Sequence, residues 1–196
     1  MVERTPTQQT ESTHAQVGSP LYLPNATSTA QHIWTQALES CARKMALEGA
    51  EQVMARLQSG DRTAHQYCLY SVAKQASAAL GDLDPEIKAI YTLDYDATPH
   101  DLCFSEVNAG TSPIHLIVWV RRKTAALEAL VASLDNALTQ ACNNALGRYS
   151  INSLLDVQVV DDDQVEGRVG YGALLSSLHQ RPIRVWSCAD SSGSAS

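Results

Sequence analysis

No run of apolar residues in this 196-residue chain approaches the ~18 that a membrane-spanning helix needs, which argues against membrane insertion. The amino-terminal MVERTPTQQTESTH also lacks the apolar centre of a secretory signal. Cysteine is sparse and scattered: Cys41, Cys68, Cys103, Cys142 and Cys188 form no C-x-x-C pair. Without closely spaced ligand pairs a zinc cage is rejected, and the odd number does not suit a disulfide framework. Together these absences predict a cytoplasmic protein whose thiols are reduced and mostly buried. Positive charge is short as well, with 14 Lys and Arg against 21 Asp and Glu and a net charge of −7. Phosphate neutralisation needs a positive field, so this balance argues against non-specific nucleic-acid binding. The one basic cluster, Arg121-Arg122-Lys123, falls at a strand end and reads as solvated loop charge. A Gly-x-Ser-x-Gly elbow is missing, which leaves nucleophilic catalysis without its usual frame.

What remains is the composition of one globular domain, with 44% hydrophobic and 18% charged residues. Residues 1–27 are rich in Thr, Gln, Ser and Pro and lack periodicity, so a disordered tail is expected there. Within it the apolar Leu21-Tyr22-Leu23-Pro24 could dock on the domain or a partner. Residues 28–186 are expected to form a single α+β domain, and 187–196 a second flexible end.

Periodicity divides that domain. Trp34, Leu38, Cys41, Met45, Val53, Met54 and Leu57 follow helical spacing and predict one helix from Ser28 to Leu57, stopped at Ser59-Gly60. Asp61 offers an N-cap to a second helix carrying Leu69, Val72, Ala73, Ala76 and Leu80 and ending near Gly81. The two would make a helical hairpin over 28–81, a candidate surface for a protein partner or self-association. Strands are expected at Glu86–Asp94, Leu102–Val107 and Ile114–Arg121, then a helix through Leu127, Leu130, Leu134 and Leu138 that Gly147 ends. A strand at Leu154–Val160, a short helix at Ala173–His179 and a short strand at Ile183–Trp186 complete the order. The expected architecture is a mixed β-sheet with helices packed on it.

The stretch SPIHLIVWV, Ser112–Val120, begins a segment that carries a resemblance. A Ser-x-Ile-x-Leu strand leads to a long amphipathic helix and to LLDVQVV, and YGALLSSLHQRPIRVW closes the pattern with a short helix and strand. In this order, about 75 residues from Ser112 to Trp186 resemble the nucleotidyltransferase fold of the DNA polymerase β superfamily. In that family two aspartates one residue apart on the strand, with a third acid on a neighbouring strand, hold magnesium for nucleotidyl transfer. Pro113 and His115 stand where the pair would be, and Asp156 resembles the third acid. Proline offers no ligand, and histidine suits softer metals than magnesium. The family's Gly-Ser turn is also absent from the preceding IYTLDYDATPHD. The resemblance therefore implies a non-catalytic binding or regulatory domain with a remnant cleft at His115 and Asp156, open to a nucleotide. For His115 the simpler reading is a strand histidine whose ring nitrogens are satisfied by hydrogen bonds.

Other constellations compete with that reading. Asp94 and Asp96 share a strand face and could hold Mg or Mn for a phosphorylated substrate, with His100 as general base; turn chemistry before Pro99 is the plainer account. Asp161-Asp162-Asp163 reads as a solvated acidic turn. GRVGYG brings Gly167, Arg168, Gly170 and Gly172 ahead of a helix, a possible anion-binding loop that fits neither the Walker nor the dinucleotide spacing and otherwise reads as a flexible turn. A purely structural oligomer built on the amino-terminal helices is the remaining alternative.

Overall fold

The computed structural model describes residues 26–93, 114–147, 151–177 and 182–188. The single helix expected up to Leu57 is two helices, α1 (Ala26–Lys44) and α2 (Ala50–Ser59). At their junction Ala46 is left-handed, with φ 53°. The Leu47 amide returns to the Ala42 carbonyl at 2.9 Å and the Ala46 amide to Arg43 at 3.3 Å. That pair of bonds is the Schellman closure, normally built on glycine, so alanine disguises the break. α1 also begins two residues before its expected start, and residues 1–25 lie outside the described residues.

The next junction agrees with expectation. Gly60 caps α2 in the left-handed region at φ 84°. The Asp61 carboxylate accepts from the Ala64 amide at 3.1 Å and opens α3 (Arg62–Leu83). Buried His65 donates from Nε2 to the Leu57 carbonyl at 2.8 Å and ties the two helices together. α3 ends at Leu83, two residues past Gly81 and near its expected end. A Cβ at Gly81 would fall on the Trp186 indole, so this glycine admits a neighbour instead of ending the helix.

Four strands complete the described fold: β1 (Ile87–Thr92), β2 (Ile114–Val120), β3 (Leu155–Val160) and β4 (Ile183–Ser187). They form one sheet in the order β3-β2-β1-β4. β2 and β3 are parallel, and β1 is antiparallel to both β2 and β4. The parallel pair is joined through α4 (Ala125–Leu146), capped by Thr124 and Gly147. The strand expected at Leu102–Val107 lies outside the described residues. Ser187 belongs to β4, and the Cys188 amide bonds Lys88 at 3.1 Å, so the last strand outruns its expected end. The chain is thus an α+β fold with a mixed four-stranded sheet and packed helices. No described helix is long and apolar enough to cross a membrane.

The core lies on one side of the sheet. Ile114, Leu116, Val118 and Val120 of β2 join Ile87 and Ile90 of β1 and the inner faces of α1, α3 and α4 in one buried cluster. Period-two alternation then sends His115, Ile117 and Trp119 to the opposite face. Cys41, Cys68 and Cys142 are buried in the cluster, as expected for thiols acting as small hydrophobes. Burial pushes Cys41 up to about 11 and Cys142 up to about 12, which keeps both protonated.

Candidate functional site

The face of the sheet away from the main core carries the polar side chains. β2 and β3 pair in an unbroken parallel register that sets His115 beside Asp156 and Ile117 beside Gln158. Because the register is direct, one pleat brings imidazole and carboxylate together. Asp156 Oδ2 lies 2.9 Å from His115 Nδ1, and Oδ1 accepts from Gln158 Nε2 at 2.8 Å. Both carboxylate oxygens are therefore engaged. The carboxylate accepts only, so Nδ1 carries a proton and a neutral ring presents Nε2 as an acceptor. The His115 and Asp156 side chains are 42% and 38% exposed, so a ligand can reach this pair. Behind it, the Thr92 hydroxyl donates to the His115 carbonyl at 3.1 Å and steadies the strand.

At the other end of the same face is a second polar knot. A register shift in β1 between Ile87 and Ala89 leaves Lys88 as the extra residue. Its ammonium sits 4.3 Å from the centre of the Trp119 ring and 2.8 Å from Asp162 Oδ1. The same oxygen accepts from Trp119 Nε1 at 2.8 Å. The bond from Lys88, with a lesser one from Trp119, holds the Asp162 carboxyl below its ordinary value.

The acidic triplet is not the free turn expected. Asp161 accepts from the Gln164 amide at 3.0 Å, the Gln164 side chain returns to the Asp161 amide at 3.4 Å, and this capping box starts α5 (Asp162–Glu166). Glu86, Arg121, Arg122, Asp161 and Asp163 line an open depression of about 500 Å³ beyond the ends of β2 and β3. Its mixed charges include Arg121 and Arg122 of the basic cluster, whose three residues are exposed.

The glycine loop is tightly folded onto α5. Amides of Gly167, Arg168, Val169 and Gly172 all donate to backbone carbonyls of residues 163–169. Arg168 and Gly170 are left-handed at φ 52° and 55°. A Cβ at Gly172 would strike the Gln164 backbone, so the 3-10 helix Gly170–Ser176 rests against α5 through that glycine. It takes up the described part of the short helix expected at Ala173–His179, residues 178–179 lying outside the described residues.

His115 and Asp156 are thus brought together, while Gly167, Arg168, Gly170 and Gly172 form a separate turn. Asp94, Asp96 and His100 lie outside the described residues, as does Pro113. Among the described residues, no group of three or more His, Cys, Asp and Glu side chains could hold a metal ion. Sequence reasoning missed Gln158, Lys88 and the Trp119–Asp162 bond. The spacing of Asp161 and Gln164 was a legible capping signal; the bulge at Lys88 had none. Comparison with family models, curated proteins and solved structures finds no match to this chain.

Proposed function

We propose that this chain is a non-catalytic binding or regulatory domain of nucleotidyltransferase-like architecture, with its ligand held against the sheet around His115 and Asp156. The observation that carries the reading is the engagement of both Asp156 oxygens by His115 and Gln158. Magnesium takes several hard oxygen ligands in an octahedron, and among the described residues Asp156 belongs to no group of three or more such side chains that could hold a metal ion. Here the carboxylate orients an imidazole instead. What the face offers a ligand is the second ring nitrogen of His115, Nε2, beside the half-exposed amide of Gln158. Such an arrangement suits recognition of a polar small molecule, with a nucleotide as the first class to try.

A thermal-shift panel of nucleoside triphosphates, with and without magnesium or manganese, tests this. A ligand at 100 times its Kd stabilises the fold by about 2.7 kcal/mol, or roughly 5–10 °C for a chain of this size. The expected result is a shift that needs no metal and is lost in His115→Ala, with no nucleotidyl transfer by either protein. A shift that appears only with metal, or a transfer rate that falls in His115→Ala, overturns the non-catalytic reading. No shift with any triphosphate removes nucleotides as the ligand.

A further inference from the structure

On the outer surface of the helices two like charges are brought together. Lys44, the last residue of α1, sets its ammonium 4.2 Å from the centre of the Tyr70 ring. Lys74 follows Tyr70 by four residues on α3, one turn along the same face. Tyr67 precedes Tyr70 by three and is 40% exposed, so both rings and Lys74 share one stripe of the helix. Partial desolvation, and after it the Lys74 charge, lower the Lys44 ammonium from its ordinary value. The two cations oppose each other.

No carboxylate relieves that opposition. Acidic residues outnumber basic ones 21 to 14 in the whole chain, yet α3 carries none between Arg62 and Gly81. Among the described residues, no Asp or Glu lies within ion-pair reach of Lys44 or Lys74. A cation at the end of α1 suits the helix dipole, but that accounts for neither the ring beside Lys44 nor the second lysine. A local conflict kept on an exposed surface marks a place where a ligand supplies the missing charge.

We propose that Lys44, Lys74 and Tyr67 form a docking site for a phosphorylated segment of a partner protein. The phosphate dianion sits between the two ammoniums, each acting as a point charge, and an apolar neighbour of the phosphorylated residue rests on the Tyr67 ring. One dianion answers two cations at a single point, which a row of carboxylates along a peptide does not. Small-molecule sites enclose most of their ligand, whereas Lys44, Tyr67 and Lys74 are all exposed, so the phosphate is carried by something larger. The net charge of −7 disfavours the many phosphates of a nucleic acid but admits one. This site is independent of the His115–Asp156 pair, because α1 and α3 pack on the other side of the sheet.

Fluorescence anisotropy of the full chain tests this with a labelled degenerate peptide library fixed only at a central phosphoserine, beside its unphosphorylated twin. The expected result is binding of the phosphorylated library alone, weakened about tenfold in Lys44→Gln and in Lys74→Gln. Lys123→Gln, which removes an exposed cation elsewhere, should leave it unchanged. Lys74→Glu should lose the binding and raise the melting temperature by about 1–3 °C, because its carboxylate takes the place of the phosphate. No preference for the phosphorylated library overturns the proposal, as does binding that survives Lys44→Gln. A melting temperature that falls in Lys74→Glu overturns it too, since the lysines would then not oppose each other. Equal affinity for free phosphoserine assigns the site to small phosphorylated molecules, and tighter binding of a single-stranded oligonucleotide assigns it to nucleic acid. Either outcome overturns the protein partner.

Discussion

Neighbouring residues of β2 belong to two different environments. Leu116 and Val118 point into a dry apolar layer shared with α1, α3 and α4. His115 and Trp119 point to a face where a carboxylate, an amide and an ammonium are tied by directed hydrogen bonds. The first face is held by area removed from water, which is non-directional and tolerant of shape. The second is held by geometry, where one displaced atom leaves a polar group unpaired. Stability should therefore reside on the helix side and ligand recognition on the other, and each can be perturbed alone.

The largest effect is expected on the helix side. Leu116 is fully buried, and Leu116→Ala should cost about 3 kcal/mol through lost transfer energy and the cavity left behind. Urea unfolding reads this directly, and an unchanged midpoint would erase the distinction between the faces. Gly81→Ala comes next, at about 2 kcal/mol, because the new methyl must displace the Trp186 indole. Since alanine otherwise favours helix by about 1 kcal/mol over glycine, a stabilised variant would show that the contact yields easily. Tryptophan emission and melting temperature together report it.

On the open side the effects are smaller and depend on pH. Asp162→Ala removes the shared acceptor of Lys88 and Trp119 and should cost about 1 kcal/mol, kept low by partial solvent exposure. The native Asp162 carboxyl is held below its ordinary value, so its contribution is fully present above the unfolded value of about 3.9. That contribution disappears as the pH falls through the lower native value. The penalty of Asp162→Ala measured near neutrality should accordingly vanish in strong acid, while that of Leu116→Ala persists. Smallest of all, His115→Ala should change stability by under about 0.5 kcal/mol, as for a half-exposed residue. A loss comparable to that of Leu116→Ala would place the His115–Asp156 pair among the supports of the fold.

Much of the helix side was legible in the sequence, because its signals are local. α4 shows apolar residues at three- and four-residue spacing, and glycine marks its end. Where sequence and structure part, a local rule is satisfied by an unusual residue. Ala46 takes the left-handed closure that glycine would have advertised, so α1 and α2 look continuous in sequence. Gly81 looks like a stop but accommodates an indole from the far end of the chain. The open face was harder, since its content is register. That His115 lies near Asp156, 41 positions apart, was expected only from the order of strand, helix and strand in the resemblance, since composition does not encode how α4 returns the chain to β3. The bulge that frees Lys88 is likewise a property of two strands together.

The strand order also has a consequence during synthesis. β1 is among the first elements to leave the ribosome after α3, yet one of its flanks is completed only by β4, the last described strand. Until then a nascent chain presents the Ile90 side of the sheet and the slot at Gly81 without the Trp186 that fills it. At ordinary elongation rates of about 5–20 residues per second, that flank stays uncovered for several seconds. Emergence of β4, rather than that of the helices, is then the event that seals this sheet, and a chain stalled before Ile183 would keep an adhesive flank open to chaperones.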